Sequence, residues 1–301
     1  IQPLASEGYQ DTLSILSRLM TNLNAYLALR ELGIDSLALS QDLLSQVEAD
    51  IRSLLEAQHY EGGWSWWKGS ESPDPFVTAY VLLGLEGASQ AGLDVGAHFI
   101  DQAASYLYSR MIQPKELSSG RELDKLAFQV YALRFRGLDL SQPINGLYAR
   151  RSEISPWALG LLALTIDELQ ARDNRVGVLL TDLEAQAVRS ATGVHWEGAS
   201  GSWLVPGSTI FNTAVGTFAL AQLDPASTSL VPAVRYLLAH QDAGGGWPSP
   251  FDAAWTWLAL IETLRGTGDA QADFDFQALL NDVTVAEGSA ADAFPAGGVS
   301  A

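Results

Sequence analysis

The chain has 301 residues, a formal net charge of −18 and no cysteine. An acidic chain of this kind repels phosphate backbones and anionic lipids, so neither nucleic acid nor a membrane surface is expected as a partner. The absence of cysteine excludes disulfides, thiolate metal sites and cysteine nucleophiles. With 48% hydrophobic residues, the chain can bury a large core.

No segment is expected to cross a membrane, because the longest apolar run, residues 157–166, is too short to span a bilayer. The chain begins at Ile1 and shows no signal peptide. We therefore expect it to be an excised domain or mature fragment of a larger protein.

Helical periodicity dominates the chain. In the first segment apolar residues recur every three or four positions from Leu13 to Leu27, and Gly33 is expected to end the helix. The same period predicts eleven helices, at residues 11–32, 40–59, 75–90, 96–112, 121–136, 141–151, 156–171, 175–191, 209–223, 228–241 and 251–265. Three polar residues that precede such segments are predicted N-caps: Ser40, Asp74 and Ser155.

Five of these segments form a weak internal repeat, in which small residues mix with large apolar ones before a final leucine: 78–85, 126–133, 157–164, 213–220 and 253–260. Helices that are apolar nearly all round belong to a buried inner layer, and the amphipathic helices between them form an outer layer. The sequence thus predicts an all-α fold, an α/α toroid of about five to six helical hairpins over residues 1–268. Alternation after residue 273 predicts short strands, and residues 269–301 are read as a linker and the start of a following β-domain.

Two Gly-Gly-Trp runs follow predicted outer helices, YEGGWSWW at 60–67 and DAGGGWPSPF at 242–251. The glycines can turn the chain, and Trp64 and Trp247 are predicted to pack over adjoining helices. The alternative interpretation is an aromatic platform for a ligand. Trp66 and Trp67 have no counterpart in the second run, so they stay interaction candidates.

Several kinds of site lack their signature. The four histidines are scattered without HExxH or CxxC spacing, so no metal or other cofactor is expected. There is no GxSxG nucleophile elbow and no Asp-rich diphosphate motif. A glycosidase needs two facing carboxylates. Four acids in aromatic loops stay open for that role: Glu61, Glu71, Glu197 and Asp252. Asp252 also fits the first turn of the helix that follows it.

Three stretches in order resemble the thioester domain of α2-macroglobulins and complement proteins, especially the bacterial α2-macroglobulins. These are EGGWSWWKGSESPDPFVTAYVLLGL (61–85), VHWEG (194–198) with the helix after it, and GGGWPSPFDAAWTWLAL (244–260). The resemblance extends over residues 11–265 and implies the same α/α toroid. It also marks Trp66, Trp67, His195, Trp196 and Asp252 as interaction candidates.

In that family the first helix begins with a Gly-Cys-x-Glu-Gln run, whose Cys and Gln form an internal thioester. Counting back from SRLMTNL (17–23) places Asp11 at the cysteine position and Ser14 at the glutamine position. A carboxylate and a hydroxyl cannot form this bond, and the chain has no cysteine. The resemblance therefore implies a toroid without the reactive thioester and without covalent capture.

As a function, the resemblance implies a non-enzymatic domain of a bacterial α2-macroglobulin-like protease inhibitor. Its partners would be other domains of the same chain and target proteases, in a secreted, periplasmic or surface-anchored parent. Two alternatives stay open. One is an α/α-toroid enzyme that acts on glycans through loop acids and tryptophans, and the other is an adhesion or scaffold module that binds protein through Trp66 and Trp67.

Overall fold

A computed structural model describes residues 11–31, 37–198, 207–242, 244–267, 275–280 and 283–289. Within these residues the chain forms eleven α-helices: α1 (Thr12–Glu31), α2 (Leu37–Glu56), α3 (Pro75–Gln90), α4 (Ala97–Ser109), α5 (Gly120–Leu133), α6 (Ser141–Ala149), α7 (Pro156–Leu169), α8 (Asn174–Ala185), α9 (Thr209–Leu223), α10 (Leu230–Ala239) and α11 (Pro250–Thr267). Two antiparallel hairpins accompany them: β1 (Ala187–Ser190) with β2 (Gly193–Trp196), and β3 (Asp275–Leu280) with β4 (Val283–Ser289).

The odd-numbered helices form a closed inner ring. Each contacts the next odd-numbered helix, from α1 through α3, α5, α7 and α9 to α11, and α11 contacts α1 again. The even-numbered helices α2, α4, α6, α8 and α10 each pack against the inner helix that precedes them. This closed two-layer arrangement is an α/α toroid, so the predicted fold class is confirmed.

The difference between inner and outer helices follows from their apolar faces. Every residue of α7 from Trp157 to Ile166 is buried, and so is every residue of α9 from Ile210 to Ala221. A helix that is apolar on all sides needs neighbours on all sides. The outer helix α8 buries only Leu179 and Leu183, which is what one apolar stripe against a single inner helix requires.

Shared side-chain acceptors hold the starts of the inner helices together at one mouth of the toroid. Ser155, which precedes α7, donates its backbone N–H and its hydroxyl to the carboxylate of Asp124 in α5, across 2.8 and 2.6 Å. Ser208, which precedes α9, donates its hydroxyl to Asp252 in the first turn of α11. Each carboxylate therefore ties the residue that precedes one inner helix to a neighbouring inner helix, which cross-links the helix starts.

Three tryptophans occupy equivalent places between an outer helix and the next inner helix. Each indole N–H donates to a carbonyl in the last turn of the preceding outer helix: Trp64 to Leu54 (2.7 Å), Trp196 to Leu183 (2.7 Å) and Trp247 to Leu237 (2.9 Å). Each of these carbonyls also accepts from a backbone N–H three residues later, that of Ala57, Gln186 or His240, so each indole adds a second donor at a helix end. The prediction that Trp64 and Trp247 pack against adjoining helices is confirmed, since both are buried.

Asp74 is the N-cap of α3, as predicted, and its carboxylate accepts from the N–H groups of Phe76 and Val77. The predicted N-cap Ser40 is wrong, because α2 already begins at Leu37 and Ser40 lies inside it. Gly62 turns the chain with a φ of +94°, but six residues after α2 ends instead of at its end.

A helix predicted over 175–191 ends at Ala185, and the chain then turns into the hairpin of β1 and β2, which the sequence analysis missed. Gly193 permits this turn against α10: its φ is +137°, and a Cβ there would lie 2.2 Å from the carbonyl oxygen of Pro232. The strands predicted after residue 273 are present as β3 and β4. The predicted cap Gly33 lies outside the described residues, and the boundary at 268 stays a prediction.

Candidate functional site

A small cavity lies at the mouth where the inner helices begin. Its volume is about 150 Å³, and it brings together both predicted thioester positions and both unassigned tryptophans; it is lined by Asp11, Leu13, Ser14, Ser17, Trp66, Trp67 and Phe251. The lining residues come from the start of α1, the loop before α3 and the first turn of α11. Residues far apart in sequence meet here because the ring closes between α11 and α1.

Asp11 and Ser14 form an N-cap at the start of α1. The backbone N–H of Ser14 donates to Oδ1 of Asp11 across 2.8 Å, and the Ser14 hydroxyl donates to Oδ2 across 2.8 Å. The carbonyl of Asp11 accepts from the N–H of Ile15. A carboxylate at this place also offsets the positive end of the helix dipole.

The tryptophan loop is tied to the same helix start. Thr12 donates its backbone N–H to the carbonyl of Trp66 across 3.0 Å and its hydroxyl to the carbonyl of Ser65 across 2.6 Å. Trp66 is half-buried and packs against the hydrophobic core, whereas Trp67 is 46% exposed. The loop is thus held in place by its backbone, and one of its two rings reaches solvent.

Aromatic and hydroxyl groups surround the deep side of the cavity. Phe251 stacks on Tyr80, with ring centroids 4.8 Å apart and an interplanar angle of 12°. Tyr80 is fully buried, and this burial raises the pKa of its hydroxyl, which therefore stays neutral. The Ser17 hydroxyl, in a residue only 1% exposed, has no hydrogen-bond partner among the described residues.

The chain is similar in sequence to two curated proteins. It is 34% identical to the α2-macroglobulin of Thermotoga maritima over 67 residues, which are 22% of this chain and 4% of that protein. It is 25% identical to the α2-macroglobulin homolog of Yersinia pestis over 168 residues, which are 54% of this chain and 8% of that protein. The chain thus spans less than a tenth of the relatives it matches. No protein-family profile matches it.

Solved structures match almost the whole chain. Native α2-macroglobulin from Escherichia coli, spanning domain MG7 to the C-terminus, matches with a TM-score of 0.67 at 17% identity, over 94% of this chain and 43% of that one. Salmonella α2-macroglobulin reacted with methylamine matches with a TM-score of 0.70 at 17% identity, over 94% of this chain and 18% of that one.

The predicted resemblance to the bacterial α2-macroglobulins is confirmed. Within this α2-macroglobulin-like toroid, Asp11 and Ser14 stand where the resemblance places the thioester Cys and Gln. They form a helix cap, and no cysteine exists elsewhere in the chain to supply the sulfur.

Asp252 lies in the α2-macroglobulin-like stretch after the second Gly-Gly-Trp run and is buried, with 3% of it exposed. Its Oδ1 accepts from Ser208 across 2.5 Å, and its Oδ2 accepts from Ser249 across 2.7 Å. The N–H of Asp252 donates back to the Ser249 hydroxyl, which completes a reciprocal cap. The interpretation as a first-turn acid is confirmed, and burial removes Asp252 from any exposed interaction surface.

The structure does not bring His195 and Trp196 to the cavity, because both lie on β2. Trp196 was predicted as an interaction candidate, but it is fully buried and caps α8, so its ring cannot meet a partner. His195 stacks on Tyr236 with ring centroids 4.5 Å apart, and its Nε2 lies 3.5 Å from Oε1 of Glu197. Sequence reasoning could not separate a buried Trp from an exposed one within this stretch.

A second, larger cavity of about 850 Å³ opens at the opposite mouth, where the inner helices end. Charged residues of both signs rim it over an apolar floor that includes Trp255 and Phe218. The rim includes Arg30, Arg134, Glu168 and Arg265, which lie in or directly after four different helices. These residues form no motif in the sequence, so only ring closure reveals this cavity.

Among the described residues, no group of three or more His, Cys, Asp or Glu side chains could hold a metal ion. Two of the four acids considered for a glycosidase have structural partners: Glu61 pairs with Arg110 across 2.8 Å, and Asp252 caps α11. The comparisons do not favour a glycan-active enzyme or an adhesion module. The described helices include none long and apolar enough to cross a bilayer.

Proposed function

We propose that this chain is the toroid of a bacterial α2-macroglobulin-like protease trap and that it works without a covalent bond. The observation that carries the proposal is the Asp11–Ser14 cap, which stands in an α2-macroglobulin-like toroid where the family's thioester is expected. A carboxylate and an alcohol offer no electrophile to a lysine or hydroxyl of a captured protease. The domain would act as part of an inhibitor, not as an enzyme.

In this proposal the toroid contributes through packing and movement. Other domains of the same chain are its partners, and cleavage of a bait segment elsewhere in the parent releases it to a new position around the protease. The cross-linked helix starts, Asp124 with Ser155 and Asp252 with Ser208, favour movement as one body. A secreted, periplasmic or surface-anchored parent would meet such proteases.

The test uses the full-length parent incubated with a protease such as trypsin. We expect a mobility shift on native gels and protection of a large protein substrate, while a small peptide substrate is still cleaved. Denaturing gels should show no covalent adduct of protease and parent. Absence of both the shift and the protection would contradict protease trapping, and a covalent adduct would contradict the non-covalent mechanism.

A further inference from the structure

The cavity under Trp66 and Trp67 combines an anion with aromatic walls. Among the described residues that line it, Asp11 is the one ionisable side chain, and Trp66, Trp67 and Phe251 supply three aromatic rings. Aromatic rings attract cations through their quadrupole, most strongly in the case of Trp, and cages of such rings recognise ammonium groups. The local chemistry therefore favours a positively charged ligand.

Hydrogen-bond acceptors for such a ligand are available in the cavity. Each oxygen of the Asp11 carboxylate accepts one hydrogen bond from Ser14, and a carboxylate oxygen can accept a second. The buried Ser17 hydroxyl also lines the cavity and has no partner among the described residues. A buried polar group without a partner is costly, so a donor placed between Asp11 and Ser17 would relieve that cost.

Other ligand classes fit less well. An anion would be repelled by Asp11 and by the net charge of −18. A neutral apolar ligand would fill the space but offer no donor to the Ser17 hydroxyl and no charge to the Asp11 carboxylate, which would keep only its hydrogen bonds from Ser14. A volume of about 150 Å³ suits an ammonium group on a short aliphatic chain.

The chain's own neighbouring lysine does not fill this role. Lys68 follows Trp67 in sequence, but its Nζ lies 3.7 Å from Oε2 of Glu56, and both side chains are exposed. Among the described residues that line the cavity no ammonium group is present, and the proposed ligand is one from another molecule.

We propose that this cavity binds a primary ammonium group on a short aliphatic stem, such as a lysine side chain, between Asp11, Ser17 and the aromatic walls. The binding is non-covalent. It is a property of this chain alone, so it holds or fails independently of protease trapping by the parent.

The test is a titration of the 301-residue chain with n-butylammonium chloride at constant ionic strength, followed through the ¹⁵N-labelled indole N–H signals. We expect saturable shifts of the Trp66 and Trp67 signals, assigned with Trp66→Phe and Trp67→Phe. The neutral alcohol 1-pentanol, of similar size, should bind at least about tenfold more weakly, because it carries no positive charge to pair with the Asp11 carboxylate and the aromatic rings. Equal binding of the alcohol would overturn the proposal.

A matched pair of variants separates the charge from the cap. Asp11→Asn keeps an N-cap residue but removes the carboxylate, so we expect a loss of affinity of about tenfold or more. Asp139→Asn removes an exposed carboxylate that accepts from the N–H of Ser141 before α6, outside the cavity, and should bind like the wild type. Unchanged affinity in Asp11→Asn, or an equal loss in Asp139→Asn, would refute the ammonium site.

If Asp11→Asn fails to fold, Ser17→Ala decides instead. A loss of roughly two- to tenfold in affinity supports a hydrogen bond from the ammonium group to Ser17. Unchanged affinity in this variant would overturn the proposed geometry.

Discussion

The hydroxyl of Ser208, before α9, and the carboxylate of Asp252, in the first turn of α11, are joined by a hydrogen bond of 2.5 Å. The same carboxylate accepts from Ser249, so one buried acid links the N-cap serines of two neighbouring inner helices. Sequence alone marked Asp252 as a first-turn acid of its own helix. The additional hydrogen bond from Ser208 explains why an acid can be buried between the largely apolar inner helices.

We predict that Asp252→Ala lowers the free energy of unfolding by about 2–4 kcal/mol, because two serine hydroxyls lose a charged acceptor at a buried site. Urea unfolding of the variant and the wild type measures this. Ser208→Ala removes one hydrogen bond to Asp252 and also the N-cap of α9, in which the Ser208 hydroxyl accepts from the N–H of Phe211, so it should cost about 1–2 kcal/mol. A loss below about 0.5 kcal/mol in Asp252→Ala, the range of ordinary surface changes, would contradict the shared cap.

The tryptophan caps predict a common effect of replacing indole by phenyl. Trp64→Phe, Trp196→Phe and Trp247→Phe each keep an aromatic ring but remove the indole donor from a helix-end carbonyl, which keeps only its backbone N–H donor; this should cost about 0.5–1.5 kcal/mol. Thermal or urea unfolding checks the three variants. Tyr60→Phe, at a ring 87% exposed, is the control and should lie within about 0.5 kcal/mol of the wild type. Costs as small in the three caps as in the control would refute the capping role.

Substitutions of Asp11 test whether the N-cap of α1 stabilises the helix through its hydrogen bonds or through its charge. Asp11→Ala should lower the free energy of unfolding by about 1 kcal/mol, because the N–H and hydroxyl of Ser14 lose their acceptor. Asp11→Asn should cost much less, since Asn is an equally good N-cap. Equal losses in the two variants would show that the charge of Asp11, and not its cap, stabilises the helix.

Asp124 predicts a pH dependence of stability. Burial is the main cause that raises the pKa of Asp124 to about 6, although Ser155 donates two hydrogen bonds to its carboxylate. In the unfolded chain the pKa of the Asp124 carboxyl is close to the ordinary value of about 3.9. Between these pH values the folded state keeps a proton that the unfolded state has lost. The contribution of the protonated Asp124 carboxyl to the free energy of unfolding is therefore complete below pH 4, and it is lost as the pH rises through 6.

Urea unfolding from pH 4 to 7.5 tests this when the wild type is compared with Asp124→Asn, whose side chain does not titrate. Relative to this variant, the wild type should lose on the order of 2–3 kcal/mol as the pH rises. Asp139→Asn is the control, because hydrogen bonds from Ser141 lower the pKa of Asp139. Its contribution is lost only as the pH falls, so it should show no such decline. If the difference in free energy of unfolding between the wild type and Asp124→Asn does not change with pH, the pKa of Asp124 is not raised.

Much of the toroid could be predicted because its layers differ in composition. The all-round apolarity of residues 157–166 marks an inner helix, and the Asp74–Pro75 pair marks where α3 begins. The hairpin of β1 and β2 could not be predicted, since its strands have four residues each and its turn depends on the fit of Gly193 against Pro232. The sequence pattern around β1 and β2 does not indicate that Gly193 packs against Pro232.

The candidate site was predictable only in part. The resemblance placed Asp11 and Ser14 at a reactive position and suggested that Trp66 and Trp67 cover it, and all four residues line one cavity. The contribution of Phe251 and the unpaired Ser17 hydroxyl could not be predicted, because they meet Asp11 through packing between α1, α3 and α11. Trp196 was misassigned, since a Trp that caps a helix end has the same sequence appearance as one that faces solvent.

The closure of the ring between α1 and α11 has a kinetic consequence. The contacts between successive inner helices from α1 to α11 join neighbours in the repeat, whereas ring closure joins segments about 230 residues apart, as in the hydrogen bond from Asn24 to the carbonyl of Ala254. Loop-closure entropy makes such distant contacts late events in folding. Weakening this junction, as in Asn24→Ala, should therefore accelerate unfolding while leaving the refolding rate nearly unchanged, and stopped-flow chevron plots would reveal the opposite pattern if closure came first.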